Sequence, residues 1–245
     1  MSAVVQRSGG PCALHSLATA EDVMSLRSAF HARLVSDHAA AVATLEVRSG
    51  TETAGEILRD SIVESTTPDE LLNPAPGAPG RTYEQIVWFN GLNWVRPRHA
   101  AALAALRRRL KEGGRLFISY AAHFFFVDDC PNTELTLANE IRAAEGLEPV
   151  SQDFGELRFG VEELRRLLFG LRIVRFEHIE ADVVLATDAF REWHSGSVKC
   201  LFPDTGGHLP RLADHYMARL YDVYRGGKYR PRLCTTLVCA ELPHT

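Results

Sequence analysis

YEQIVWFNGLNWVRPRHAAALAALRRRLKEGGRLFISY, from Tyr83 to Tyr120, reads as strand, loop, helix, glycine stop and strand. Ile86, Val87, Trp88 and Phe89 form a short continuous apolar run, the pattern of a strand buried on both faces. Asn90-Gly91 ends it. Pro97 suits the first turn of a helix, where a missing N–H is no loss. Ala102, Leu103, Leu106 and Leu110 recur at helical spacing, with Arg107, Arg108 and Arg109 on the wet side. Gly113-Gly114 supplies a left-handed residue to stop the helix. Leu116 to Tyr120 is a second buried strand, which completes one βαβ unit of a mostly parallel sheet.

Working outward, Ala3 to Gln6 is a short apolar stub, followed by Gly9-Gly10-Pro11 and a helix-like stretch from Cys12 to Phe30 that Thr19 to Asp22 interrupts. A strand, a glycine turn and a helix start form the architecture that cradles an anionic or polar ligand tail. His31 to Ser36 is a candidate second strand ending at Asp37, 27 residues beyond Gly10. In doubly wound folds an acid at that strand end holds ribose hydroxyls, roughly 20 residues past the glycines; the alternative for Asp37 is a helix cap. Ala39 to Arg59 is Ala-rich and helix-like, and Ile62 to Ser65 is a third strand. Thr67 then caps a short helical turn.

Beyond Tyr120, Asn132 to Glu145 and Val161 to Leu168 read as helices, and Leu171 to Ile179 as a strand. Thr187 to His194 and the amphipathic Leu209 to Tyr224 are helical, and Arg232 to Leu242 is the last strand. The expected fold class is α/β: a doubly wound, mostly parallel, seven-stranded sheet whose late strands make an antiparallel edge hairpin. One domain over residues 1–245 is ordinary for this length.

A net charge of -4 gives no reason to expect nucleic acid or an anionic membrane surface as partner. No apolar run approaches the roughly 20 residues of a membrane span. The N-terminus lacks a secretory pattern. The five scattered cysteines form no CxxC pair, so reduced thiols in a cytoplasmic protein are expected, with no metal site.

Three stretches resemble class I S-adenosylmethionine-dependent methyltransferases, in particular the trans-aconitate methyltransferase-like group that acts on small molecules. YEQIVWFNGLNWV is similar to that family's "FD-hydrophobic-FNALHWV", and LKEGGRLFISY to "LKPGGRLLLSF". GVEELRRLLFGLRIVRFEHI with AFREWHSG is similar to its late helix-strand-helix and Trp-bearing segment. The likeness runs from about Ser61 to Leu242 and implies a Rossmann-like methyltransferase fold, with residues 1–120 as a cofactor-binding half and 121–245 as a substrate-side half. The family's first motif is similar to "VLDVGCGTG". In AVVQRSGGP only Gly9-Gly10 remain of it, and the helices that precede this strand in the family have no counterpart. A competing alignment takes Leu45 to Thr51 as the motif, similar to "LEVGSGTG". Only ten residues then separate Thr51 from Ser61, short for a crossover that must also bring in a second strand, which favours Gly9-Gly10 with Asp37.

The resemblance implies S-adenosyl-L-methionine as cofactor, held by Gly9, Gly10, Asp37, Thr67, Asn90 and Gly91. Thr67 stands where the family has an Asp for the adenine amino group. Trp94 would wall the methyl-transfer site, His123 would orient a hydroxyl or carboxylate, and Trp193 would line a lid; core packing is the alternative for both tryptophans, and a solvent-facing loop for His123. The implied reaction is methyl transfer to an oxygen of a small molecule, a carboxylic acid among the options. A methyltransferase-fold paralogue that has lost activity and binds a partner is the alternative, since the first motif is degenerate.

Overall fold

The computed structural model describes residues 5–7, 13–36, 42–48, 58, 62–74, 80–95, 97–124, 133–150, 161–203, 205–229 and 231–244. Among the described residues eight strands form one sheet: β1 Val5–Arg7, β2 Ala13–Leu17, β3 Ala43–Val47, β4 Ile62–Thr66, β5 Tyr83–Trp88, β6 Leu110–Phe124, β7 Arg172–Leu185 and β8 Arg232–Glu241. Their order is β1-β7-β8-β6-β5-β3-β4, and β2 follows β1 along the same edge of β7. The eight strands thus occupy seven lanes. All pairings are parallel except those of β8, which runs antiparallel to β6 on one side and to β7 on the other.

Helices cover both faces. On one face α2 (Pro68–Leu72), α3 (His99–Arg108) and α5 (Val161–Leu167) bury Leu45, Val47, Ile86, Trp88, Leu116, Ile118 and Val238. On the other, the end of α1 (Ala20–Leu34) packs Leu34 and Val35 on Val87, Phe89, Phe117, Leu237 and Cys239. Alternate residues of β5 and β6 therefore serve opposite faces, as a two-sided sheet requires. A third cluster joins α1 through Val23 to α4 (Thr133–Ala144), α6 (Thr187–Leu201) and α7 (Leu209–Arg225). In α7 Leu212, Tyr216 and Leu220 are the buried positions, at the spacing of one helix face.

The central βαβ unit forms as the sequence indicates, with two local differences. Helix α3 starts at His99, two residues past Pro97, and it is capped at Arg109 before the glycines. Gly113, at φ 72°, belongs to a bulge: Tyr83 faces Leu110 and Gln85 faces Arg115, so Glu84 opposes the chain from Lys111 to Gly114. A Cβ on Gly113 would come within 2.6 Å of the His244 ring, so the bulge closes against the chain's last residues.

The first 60 residues depart from the expected order. The strand before Gly9-Gly10 is an edge lane beside β7, with β7, β8 and β6 between it and β5. His31 to Leu34 is the last turn of α1, not a strand. Thr19 starts that helix: its side chain accepts from the Asp22 N–H, and Asp22 accepts from the Thr19 N–H (2.8 Å), a capping box. The Ala-rich stretch contains β3, which pairs with β5 and β4. Ile62–Thr66 is therefore the strand next outward from β3, and Arg48 to Ser61 supplies the dozen or so residues that a parallel crossover needs. Gly9, Gly10 and Asp37 lie outside the described residues. The strand assignments that made them cofactor ligands are replaced by β3 as the central first strand.

Candidate functional site

From β3 the chain crosses outward to β4; from β5 it crosses the other way to β6. This reversal puts a topological switch point between β3 and β5, and ligands of open α/β sheets bind outside the carboxyl ends of the strands at such a point. The residues at those ends are Glu46 and Val47 of β3 with Arg48 after it, Ser65 and Thr66 of β4 with Thr67 after it, and Asn90 and Gly91 after β5; Ser119 of the longer β6 lies beside Asn90. Ser49, Gly50 and Thr51 follow β3 in sequence and lie outside the described residues.

Asn90 takes φ 49°, the left-handed region, where Asn is among the least strained of the residues other than glycine. Its N–H donates to Ser119 Oγ at 2.9 Å. Its amide Nδ2 lies 3.4 Å from His31 Nε2, which is itself 3.2 Å from Ser119 Oγ. The His31 ring stacks on Phe89, centroids 4.1 Å apart and planes 8° from parallel. An α1 side chain, the end of β5 and the middle of β6 thus meet in one buried polar cluster. Gly91 is next, and here only glycine fits: a Cβ would lie 1.6 Å from Trp88 Nε1.

Across β3, Glu46 is buried and accepts from the Ser65 hydroxyl at 3.2 Å. Thr67 caps α2. Its Oγ1 accepts from the Glu70 N–H (3.3 Å), and its own N–H donates to the Glu70 carboxylate (2.8 Å). Those bonds to the backbone N–H and side chain of Thr67, with one from Thr66, hold the Glu70 carboxyl below the usual carboxylate value. The Thr67 side chain remains exposed at the end of β4.

Of the other expected site residues, Trp94 sits in a single 3-10 turn, Leu92–Val95, directly after Gly91. His123 lies near the end of β6, opposite Cys234. The side chains of both lie outside the described residues. Trp193 is a buried member of the helical cluster. The Arg27 guanidinium lies 5.8 Å from its ring centroid and donates to its carbonyl at 3.4 Å. Arg27 and His31 are four residues apart on α1, so one face of that helix touches both Trp193 and the Asn90 cluster. The structure therefore brings Asn90 and Gly91 together with Thr67 flanking, and sets Trp193 one helical turn along α1.

Two groupings escaped sequence reading. His31 and Ser119 are one; the only local signal was a serine inside the apolar run LFISY. The other is a part-buried carboxylate at the helical cluster. Glu134 of α4 accepts from Tyr216 (2.8 Å) and Tyr229 (3.0 Å), and His194 Nδ1 lies 3.3 Å away. Burial pushes the Glu134 carboxyl up, but the His194 ring and the two phenols outweigh it and hold the group below its ordinary value. Burial, then the neighbouring carboxylate, pushes both phenols well above theirs, so they stay donors. On the opposite side of α1, the buried Glu177 pairs with Arg33 and, at 2.9 Å, with Arg175, which ties α1 to β7. Among the described residues no group of three or more His, Cys, Asp or Glu is placed to hold a metal ion, and no helix is long and apolar enough to cross a membrane.

No protein-family model matches the sequence, and a search of curated proteins finds no relative. Solved structures do match. A protein of Bacillus halodurans C-125 assigned as a methyltransferase superposes with a TM-score of 0.50 at 14% identity, over 87% of this chain and 98% of that one. The (4+2)-cyclase SpnF superposes with a TM-score of 0.50 at 15% identity, over 97% of this chain and 90% of that one. Together with the strand order, these likenesses establish that the chain has the Rossmann-like fold of class I methyltransferases.

Proposed function

We propose that the chain binds S-adenosyl-L-methionine across the carboxyl ends of β3 and β5 and transfers its methyl group to an oxygen of a small molecule, such as a carboxylic acid. The observation that carries this reading is the switch point itself: β3, which leads in sequence into Arg48-Ser49-Gly50-Thr51, lies beside β5, which leads through Phe89 into Asn90-Gly91. The residues present fit such a cofactor. The Asn90-Gly91 turn follows β5, Glu46 offers a carboxylate, and Ser65 and Thr67 offer hydroxyls at the neighbouring strand ends. A sulfonium methyl is already activated when bound, so no nucleophile or acid–base pair is required of the protein. The chain's task is to hold the acceptor oxygen in line and to keep water out, and positioning of this kind supplies several kcal/mol. In this reading Asn90 and Gly91 hold the methionine end, Thr67 lies toward the adenine, Trp94 walls the transfer site and His123 faces the acceptor, while Trp193 packs in the helical cluster.

A second reading, a fold member that binds or reacts without methylating, has two observations in its favour. Arg48 and Glu52 stand where the motif LEVGSGTG carries glycines, and the superposable SpnF is a cyclase. Thermal shift with S-adenosylmethionine separates the two from an empty site: a ligand at 100 times its Kd adds about 2.7 kcal/mol of stability. Binding together with label transfer to carboxylic acids supports methylation; binding without transfer to any acceptor class supports the second reading.

A further inference from the structure

We infer that His31 and Ser119 are positioning residues for the cofactor crevice, acting through Asn90; this rests on the cofactor reading above. The backbone at Asn90 turns left-handed where β5 meets the crevice, a conformation that disfavours most side chains and needs its surroundings to hold it. Contacts with Ser119 and His31 do so. Ser119 Oγ accepts the Asn90 N–H at 2.9 Å, and its own hydroxyl lies within reach of both Asn90 Oδ1 (3.5 Å) and His31 Nε2 (3.2 Å). An amide NH2 only donates, so the 3.4 Å contact of Asn90 Nδ2 also needs His31 Nε2 as an acceptor. One ring nitrogen thus meets both groups, and stacking on Phe89, the residue before Asn90, fixes the ring plane. His31 is 5% exposed and Ser119 is fully buried, so neither is placed to meet the acceptor molecule directly. Their effect passes through the turn that presents Asn90 and Gly91. Because His31 belongs to α1, the same arrangement makes cofactor affinity depend on the seating of that helix.

The test is calorimetric titration of S-adenosylhomocysteine into the full chain and into His31→Leu, His31→Gln, Ser119→Ala, Asn90→Gly and the Ser119→Ala/Asn90→Gly pair. His31→Leu and Ser119→Ala should each weaken binding about tenfold, the scale of one lost hydrogen bond. His31→Gln places an acceptor where Nε2 was and should recover most of that loss, which a purely space-filling role would not produce. Gly at position 90 takes the left-handed turn unaided, so in that background Ser119→Ala should have little further effect. If the unsubstituted chain binds and His31→Leu and Ser119→Ala bind equally well, or if the Ser119 and Asn90 effects simply add, the positioning role is overturned. If the unsubstituted chain gives no binding, the cofactor reading beneath it is overturned instead.

Discussion

Glu134→Gln removes a charge from the centre of the helical layer without changing the shape of the side chain. In the parent, one carboxylate serves Tyr216, Tyr229 and His194, which come from α7, the loop beyond it and α6. An amide offers a single acceptor oxygen, so at least one of these groups must face an NH2. A hydrogen bond to a charged partner contributes about 1.5–3 kcal/mol. Tyr216 and Tyr229 each make one such bond, and the amide weakens both and keeps an acceptor for only one, so we expect a loss of about 3 kcal/mol at neutral pH. In a chain of this size each kcal/mol moves Tm by about 2–4 °C, so the melting point should fall by roughly 6–12 °C. The assay is urea unfolding of parent and variant over a range of pH. Glu134 titrates below its ordinary 4.5 in the folded chain, so its stabilising effect is full above that value and is lost as pH falls through the folded value. The gap between parent and variant should therefore be widest at neutral pH and narrow well below 4.5. A gap under about 1 kcal/mol at neutral pH, or one that persists unchanged in acid, would refute a charged Glu134 as the tie between these helices.

Gly91→Ala must displace the indole of Trp88, which is fully buried, so stability should drop by about 1–3 kcal/mol in urea titration. Thr67→Ala removes the α2 cap and should cost about 1 kcal/mol by the same measurement, while Thr67→Ser should retain it. Asn90→Val places a β-branched residue at φ 49° and should destabilise more than Asn90→Gly, a comparison that thermal melts will decide.

The parts of the fold that could be read locally were those with a strong period. Ile86 to Trp88 is apolar because it is buried on both faces, and α3 repeats Ala102, Leu103 and Leu106 because one side of it meets that sheet. The first third of the chain resisted. ATLEV sits in an Ala-rich stretch of helical propensity, and it becomes a strand because β4 and β5 flank it and bury Leu45 and Val47. HARLVS has strand-like composition, yet it continues a helix that begins at the Thr19–Asp22 capping box, which in sequence looked like an interruption. With HARLVS in a helix, β3 and β4 are consecutive lanes, and the residues after Thr51 need carry only one crossover. The edge position of β1 and β2 depends on pairing with β7, more than 160 residues away, and leaves no local trace. Asn90 and Gly91 were legible because a strand end followed by Asn-Gly is a local signal. His31 and Ser119 were not, since their meeting depends on α1 lying over β6.

The central claim is that the cofactor crevice lies between β3 and β5, and one calorimetric experiment tests it most directly. S-adenosylhomocysteine is titrated into the unsubstituted chain, into Gly50→Val in the stretch that follows β3, and into Gly9→Val after the edge strand β1. The unsubstituted chain should bind, Gly50→Val should bind far more weakly, and Gly9→Val should keep the parent affinity. Loss of binding in Gly9→Val with affinity retained in Gly50→Val, or no binding to the unsubstituted chain, would contradict the claim.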